Sequence, residues 1–197
     1  MKLIITDIEN FNIPIKGEYK IIQPNKKIHH CIGCFGCWIK TPGKCVIHDG
    51  YEKTGIDMGN CSELILVSRC YYGSISPFVK KVQDRALSYI HPDFVIRKGK
   101  MHHKRRYKNI ITMSSPLYGE NITDIEKKTA EELLKANADN YDALVKGVYF
   151  YKDAKELKFF IERNIANSTH TAKIKIDKNW QIWVYSQEIK EEILKKI

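Results

Sequence analysis

Four cysteines lie close together in the first quarter of the chain. They follow the pattern C-x2-C-x2-C-x7-C and are Cys31, Cys34, Cys37 and Cys45. Thiolates hold iron–sulfur cubes, and three cysteines at x2 spacing on a turning loop can reach three corners while a fourth closes from a short distance. Gly33 and Gly36 permit positive φ, which would let backbone N–H groups approach sulfur, and Phe35 and Trp38 could exclude water. One interpretation of the pattern is therefore a [4Fe-4S] site in a cysteine-rich loop at residues 29–49.

Two other interpretations of this loop stay open. Zinc is one, because His29, His30 and His48 offer further ligands, although structural zinc sites usually pair C-x2-C with a distant second pair. The other is a compact loop without metal, whose thiols stay reduced and pack or form a labile disulfide. The remaining cysteines, Cys61 and Cys70, lie at or near predicted strand ends and are expected to be small buried side chains.

The cysteines must be positioned by a set of short apolar runs that have the length and composition of strands. These runs are Leu3–Ile5, Tyr19–Ile22, Glu63–Ser68, Asn109–Met113 and Gly147–Tyr151. Helical patterns lie between the later runs, at Ser76–Ile90, Asp124–Ala136 and Asp153–Arg163. Ser76 and Thr123 are predicted to cap the first two helices, and Ile125, Thr129, Leu133 and Ala136 share one face of the second.

Strands that alternate with helices predict parallel pairing through right-handed crossovers, and hence an open α/β sheet. Such sheets bind ligands at the carboxyl ends of their strands. Two predicted loops leave those ends, at residues 68–76 and 114–121, and both are rich in Tyr, Gly and Ser. That composition could present a planar surface and backbone N–H groups to a flat polar heterocycle, but turn chemistry alone also favours it.

The cysteine motif, the loop Tyr71-Tyr72-Gly73-Ser74-Ile75-Ser76 and the following Lys80-Lys81-Val82-Gln83-Asp84-Arg85 resemble the NADPH-dependent FMN reductases of flavodoxin fold, in particular the iron–sulfur flavoproteins. The resemblance covers residues 2–151. It implies a three-layer flavodoxin-like α/β fold with a mostly parallel five-stranded sheet. It also implies FMN as a cofactor, NAD(P)H as the electron donor, and the four cysteines as ligands of a [4Fe-4S] cluster.

The same resemblance assigns the two loops to the flavin. The residues implied to bind the cofactor are Ser68, Arg69, Cys70, Tyr71, Tyr72, Gly73, Ser74, Ser76, Ser115, Pro116, Tyr118 and Gly119. Tyr71, Tyr72, Gly73 and Ser76 would border the ring, and the second loop would cover its other side. No acid–base residue is needed, because the flavin itself carries the chemistry.

The first strand departs from that family. There it opens into a loop rich in Gly, Ser, Arg and Thr, which holds the FMN phosphate at a helix N-terminus. Here Thr6-Asp7-Ile8-Glu9 follows instead, and the second strand begins near Tyr19. We therefore expect the first helix to be missing and the first two strands to form an antiparallel pair or a rearranged edge. Asp7 and Glu9 would repel a phosphate, and Arg69 replaces the usual proline of the third-strand loop.

Composition narrows the class of protein. The chain has 197 residues, 43% of them hydrophobic, which predicts a single domain over residues 1–197 with its own core. No apolar run approaches the roughly 20 residues that a bilayer span needs. Residues 1–7 reach an acid within one strand length and lack a small-residue cleavage site, so we expect no signal peptide and a cytoplasmic location. A hairpin over 172–185 and a helix over 187–197 are expected as a C-terminal extension, 168–197.

The net charge of +10 does not by itself indicate nucleic-acid binding. Most lysines alternate with acids, as expected for solvated helix faces. One basic cluster, residues 102–106 with Lys98 and Lys100, is either a solvated loop or an anion or partner site. Asp84 and Arg85 are expected at a helix surface or a subunit contact.

Two functions remain from the sequence. The first is an NAD(P)H-dependent flavin oxidoreductase that passes electrons from a small-molecule donor to a small-molecule acceptor, as a homodimer or tetramer. The second is a non-catalytic binding or sensor module that has lost FMN and holds iron–sulfur or zinc in its cysteine loop. Loss of the phosphate loop favours the second, and retention of the tyrosine-rich loop favours the first.

Overall fold

The computed structural model of the protein describes residues 1–164. Five parallel strands form its central sheet in the order β2-β1-β3-β6-β7. Their bounds are β1 Lys2–Thr6, β2 Tyr19–Ile22, β3 Glu63–Arg69, β6 Thr112–Tyr118 and β7 Leu144–Tyr151. Counted within the sheet alone, this order is 2-1-3-4-5, the flavodoxin-like arrangement. The predicted α/β fold is confirmed.

Five helices connect the strands and flank the sheet. They are α1 Gly36–Ile39, α2 Thr54–Asn60, α3 Pro77–Arg85, α4 Asp124–Tyr141 and α5 Ala154–Asn164. Both predicted caps are confirmed. Ser76 Oγ accepts a hydrogen bond from Val79 N at 3.4 Å, and Thr123 forms a capping box with Glu126. The helix predicted for Ser76–Ile90 ends earlier, at Arg85, and the short helices α1 and α2 were not predicted.

Helix α4 presents a different face to the core from the one predicted. Ala130, Leu134 and Ala138 are its buried residues, whereas Ile125 is 80% exposed. The apolar side chains of this helix are few and dispersed, so sequence spacing alone did not identify the packed face. These residues lie at i, i+4 and i+8, so they share one face of the helix.

The first two strands pair in parallel, with Lys2 opposite Tyr19 and Ile5 opposite Ile22. The predicted antiparallel pairing is therefore wrong. Residues 7–18 form a twelve-residue connection, just long enough for a parallel crossover without a helix. The prediction that the first helix is missing is confirmed, since this segment is irregular.

An extended segment covers the sheet face that lacks the first helix. Phe11, Ile13 and Ile15 are buried in it, while the residues between them are exposed. This alternation is the period of an extended chain. The three side chains pack in one cluster with Ile4, Ile65, Leu157 and others, and the larger cluster lies on the opposite face of the sheet.

Two sequence boundaries were misplaced. Strand β6 runs through Tyr118, so most of the predicted loop 114–121 is strand. Strands β4 (Ile90–Arg97) and β5 (Lys100–Arg105) form a separate antiparallel hairpin, where the sequence suggested the end of a helix and a loop. The basic cluster thus lies largely on β5. The predicted C-terminal extension, 168–197, lies outside the described residues.

Within residues 1–164, no helix combines the length and apolar character needed to cross a bilayer.

Candidate functional site

The four clustered cysteines line one cavity of about 20 Å³. Cys37 lies in α1, Cys31 and Cys34 precede it, and Cys45 follows the helix. Cys37 and Cys45 are buried, Cys31 is half-buried and Cys34 is exposed. All six cysteines of the chain are free thiols. The sequence motif therefore becomes a shared pocket, with two thiols in the protein interior and two on a more open segment.

Backbone geometry explains why this loop turns so tightly. Gly33 and Phe35 both have positive φ, at 65° and 54°, and Phe35 begins α1. Gly36 is helical, so positive φ is not its role. A Cβ there would lie 2.7 Å from Val46 Cγ1, so glycine is required by close packing.

Arg85 forms one wall of the pocket. Its Nε donates to Cys45 Sγ at 3.1 Å. Its Nη1 donates to His29 O and Asp49 Oδ2 at 3.0 and 2.7 Å, and its Nη2 donates to Ile47 O and Asp49 Oδ1 at 2.9 and 3.0 Å. A guanidinium has five N–H donors, so all of them are satisfied here. Arg85 therefore ties the two ends of the cysteine-rich loop to α3.

The prediction that Asp84 and Arg85 form a surface pair is wrong for Arg85. Asp84 is exposed and pairs with Lys80 on the same helix, but the Arg85 side chain is fully buried. Arg85 lies three residues after buried Val82, so its place on the apolar face of α3 could have been read from helical spacing.

The electrostatics of the pocket favour the neutral form of the Cys37 thiol when no cation is bound. Burial raises the pKa of the Cys37 thiol, and charge on Cys45, Cys31 or Cys34 raises it further. Metal ligation requires thiolates, so binding would release protons here.

The donor set matches a four-thiolate iron–sulfur site in chemistry and in number. The spacing is looser than a bound metal needs. Among residues 1–164, no three His, Cys, Asp or Glu side chains are grouped closely enough to hold a metal ion. Cys37 lies in α1 and Cys45 is held by Arg85, so the open segment with Cys31 and Cys34 would have to rearrange to complete the site.

A series of ring contacts connects the cysteine loop to the β4–β5 hairpin. The ring centroids of Phe35 and Trp38 are 5.3 Å apart, those of Trp38 and His103 are 5.1 Å apart, and those of His103 and Phe94 are 4.7 Å apart. Trp38 Nε1 also donates to Leu87 O and Ile90 O at 3.2 and 3.0 Å. Trp38 is half-buried and Phe35 is 51% exposed, so Trp38 covers the loop more than Phe35 does.

Two arginines of the basic cluster are engaged within the fold. Arg105 lies 3.1 Å from the Asp142 carboxylate, and Arg106 Nε donates to Ser88 O at 2.9 Å. Arg97, which precedes the cluster, also lies 3.4 Å from Asp142. Lys98 and Gly99 form the hairpin turn with positive φ. These contacts give several of the cationic side chains a structural role.

The second candidate region is the tyrosine loop, residues 70–76, at the carboxyl end of β3. Tyr71 and Ser74 exchange backbone hydrogen bonds at 2.8 Å, and Cys70 N donates to Tyr118 O. Tyr72 and Gly73 have positive φ, and Tyr72 is 90% exposed. The loop presents aromatic surface as predicted, but several of its N–H groups are already used within the protein.

The residues implied to bind a cofactor separate into two groups. Accessible ones are Arg69, Tyr71 and Tyr72, with the Arg69 guanidinium 5.6 Å from the centre of the Tyr71 ring. Half-buried ones are Cys70, Ser74, Tyr118 and Gly119, and buried ones are Ser68, Gly73, Ser76, Ser115 and Pro116. Ser68 Oγ accepts from Ser76 N at 2.7 Å, and Ser115 Oγ donates to Leu66 O at 3.2 Å. The serines therefore support the loop from beneath.

Cys61 and Cys70 were both predicted to be buried, and the prediction is confirmed for Cys61 only. Cys61 is 1% exposed, and burial raises the pKa of its thiol to about 12. Cys70 is only half-buried, at the start of the tyrosine loop.

Asp7 occupies the point where β1, β3 and β6 end. Its Oδ2 accepts from Arg69 N at 3.0 Å and its Oδ1 accepts from the Tyr118 hydroxyl at 3.1 Å. Burial, the Asp7 charge and this hydrogen bond all raise the pKa of Tyr118, which therefore stays a donor. The carboxylate thus connects the ends of three strands.

The phosphate of FMN does not fit at this carboxyl edge of the sheet. Flavodoxin-like sheets bind FMN at the switch point between β1 and β3, where Asp7 lies. A like charge about 4 Å away costs about 4 kcal/mol at an effective dielectric of about 20. The nearby amides are also engaged, since Ile8 N donates to Thr6 Oγ1 and Phe11 N to Gln23 Oε1.

Sequence comparisons identify no relative of this chain, and structural comparisons find proteins of similar fold only. No protein-family model matches the chain, and no curated protein matches it in sequence. The Trp repressor binding protein from Bacillus subtilis is similar in structure, with a TM-score of 0.49, 12% identity, and coverage of 84% of this chain and 95% of that one.

An FMN-dependent NADH-azoreductase from Bacillus anthracis, solved with FMN, has a TM-score of 0.48 and 10% identity over 84% of this chain and 95% of that one. A flavone reductase has a TM-score of 0.40 and 14% identity over 84% and 62% of the two chains. Similarity at this level carries no information on function, and the flavodoxin-like assignment depends on the strand order of the sheet.

Proposed function

We propose that this protein is an electron-transfer module of flavodoxin-like fold whose centre is the cysteine pocket, with a [4Fe-4S] cluster held by Cys31, Cys34, Cys37 and Cys45. The observation that carries the proposal is the shared pocket itself, in which all four thiols line one cavity against a buried arginine. The x2 spacing of the first three cysteines favours a cluster over zinc. A bound cluster would supply one-electron chemistry.

The protein contributes a partly fixed and partly adjustable ligand set. Cys37 is held by α1, and Cys45 is held by the Arg85 Nε–H and by its own backbone bond to Glu52 O at 2.9 Å. Cys31 and Cys34 lie on the open side and can close the site. An N–H group directed at a ligand sulfur is one of the features that tune the potential of such centres.

Metal analysis after anaerobic purification, or after reconstitution with iron and sulfide, tests this proposal. We expect iron and acid-labile sulfide in equal amounts, together with broad visible absorption. Cys37→Ser and Cys45→Ser should abolish both, whereas Cys70→Ser, a half-buried cysteine outside the pocket, should retain them. Stoichiometric zinc would show that the pocket is a structural zinc site and not a cluster site. If the folded protein retained no metal, metal binding would be refuted altogether.

A second candidate is an NAD(P)H-dependent flavin oxidoreductase. The exposed rings of Tyr71 and Tyr72 at the carboxyl edge of the sheet favour it, because aromatic faces stack on planar heterocycles. Riboflavin titration of the wild type and of Tyr72→Ala tests it. Tyr19→Ala is the matched control, since Tyr19 is also exposed but begins β2 at the opposite edge. Equal binding by all three proteins would exclude this loop as a flavin platform.

We also propose a cellular location and an oligomeric state for the protein. A reducing cytoplasm would keep the six thiols free. A homodimer or tetramer is proposed, with small-molecule electron donors and acceptors as partners. Light scattering at several protein concentrations measures the assembly directly, and a monomer at all of them would refute it.

A further inference from the structure

The carboxyl edge of the sheet has an acidic residue at its centre. Asp7 directly follows β1, and its two oxygens accept hydrogen bonds from β3 and β6 residues, Arg69 N at 3.0 Å and the Tyr118 hydroxyl at 3.1 Å. Asp7 is half-buried, so the carboxylate is part of the edge and not a mobile surface group.

The donors bonded to Asp7 are the kind that would otherwise bind an anion. The Arg69 backbone N–H and the Tyr118 phenol meet at one position at the switch point of the sheet. Anions are bound in open α/β sheets by donors of this type at this place. The protein satisfies them with its own carboxylate.

We propose that Asp7 is a built-in occupant of the anion position and sets the ligand specificity of this edge against phosphate. The site therefore accepts an uncharged planar heterocycle, such as a flavin ring without its phosphate, and rejects the phosphorylated form. This inference does not depend on the cysteine pocket, and the exclusion of phosphate does not depend on flavin being the natural ligand.

Three variants distinguish the effect of the Asp7 charge from the effect of the volume of its side chain. Asp7→Asn removes the charge at nearly constant volume, and Asp7→Ser removes the charge and opens the position. Glu9→Gln is the matched control. The sequence suggested that Glu9 would also repel a phosphate, but Glu9 is exposed two residues further along the segment, where solvent screens its charge. Circular dichroism and thermal unfolding establish that each variant is folded before binding is measured.

The wild type should bind riboflavin at least as tightly as FMN in calorimetric titrations. Asp7→Ser should raise the affinity for FMN at least tenfold while leaving riboflavin within about twofold, with Asp7→Asn between the two. Glu9→Gln should leave the ratio of the two affinities within about twofold. A wild type that binds FMN tenfold more tightly than riboflavin would overturn the proposal, as would a ratio unchanged in Asp7→Ser.

A titration with inorganic phosphate tests the proposal even if no flavin binds. Phosphate should shift the amide resonances of Arg69 and its neighbours in Asp7→Ser and leave those of the wild type unchanged. The absence of a phosphate-dependent shift in folded Asp7→Ser, together with the absence of flavin binding, refutes an anion position at this edge. Flavin binding by none of the proteins, with phosphate binding by Asp7→Ser, supports the role of Asp7 and rejects only the flavin candidate.

Discussion

Arg85 and Asp49 form a buried ion pair with two parallel hydrogen bonds, Nη1 to Oδ2 at 2.7 Å and Nη2 to Oδ1 at 3.0 Å. The two side chains are 0% and 7% exposed. Asp49 also accepts from His29 N and Tyr51 N, so the pair connects α3 with both ends of the cysteine-rich loop. The pocket is positioned by this pair more than by the cysteines themselves.

Asp49→Asn should destabilise the protein by about 3 to 5 kcal/mol, because it leaves a guanidinium buried without its counter-charge. Asp84→Asn is the control, because Asp84 is the neighbour of Arg85 on α3. Asp84 pairs with Lys80 at the surface, where such pairs contribute less than about 1 kcal/mol. Urea denaturation measures both free energies of unfolding. Equal losses of unfolding free energy in the two variants would show that the buried ion pair stabilises the protein no more than the surface pair does.

Stability should fall in acid through the same carboxylate. Burial alone raises the pKa of Asp49, but hydrogen bonds from Arg85 and from the His29 and Tyr51 amides, with the charge of Arg85, outweigh it and lower the pKa to about 2. The unfolded value is about 3.9, so the contribution is complete above about pH 5 and is lost as the pH falls towards 2.

The difference in unfolding free energy between the wild type and Asp49→Asn isolates this effect, since other carboxyl groups cancel. It should be constant from pH 7 to about pH 5 and shrink by about 2 to 3 kcal/mol as the pH falls towards 2. Urea titrations at stepped pH values measure it. A difference independent of pH would contradict the depressed pKa of Asp49.

Features governed by local chemistry were predictable from the sequence. Ser76 and Thr123 cap helices because their hydroxyls accept from the first turn, and neither requires knowledge of the fold. The cysteine pocket likewise follows from spacing. The Asp7 conflict with a phosphate was also visible, although its bonds to Arg69 N and Tyr118 were not.

Features decided by tertiary burial were missed. Ser114, Ser115 and Pro116 have the composition of a turn, but they lie buried in β6, where Ser115 bonds to Leu66 O. Burial between neighbouring strands outweighed their local preference. Arg85 was assigned to the surface because charged side chains are seldom buried unless paired, and its partner lies 36 positions away in sequence.

Gly73→Ala should displace the tyrosine loop and destabilise the protein by about 1 to 3 kcal/mol. Gly73 has φ of 77°, and a Cβ there would lie 2.7 Å from Glu126 O and from Thr129 Cβ in α4. Gly119→Ala is the control at the same edge, since its Cβ would meet Ile122 at 3.4 Å, an ordinary contact. Thermal unfolding of the two variants compares them. A harmless Gly73→Ala would mean that the loop can leave α4 freely.

Ile13→Ala tests whether the extended segment replaces the missing first helix as a structural layer. Ile13 is 1% exposed and packs with Ile4 and Leu157, so removing its methyl groups should cost about 2 to 5 kcal/mol. Asn12→Ala, at the neighbouring exposed position, should change the free energy of unfolding by less than about 0.5 kcal/mol. Denaturant unfolding distinguishes the two. Similar small effects would mean that this segment lies on the sheet without stabilising it, and that β1 and β2 depend on their own pairing.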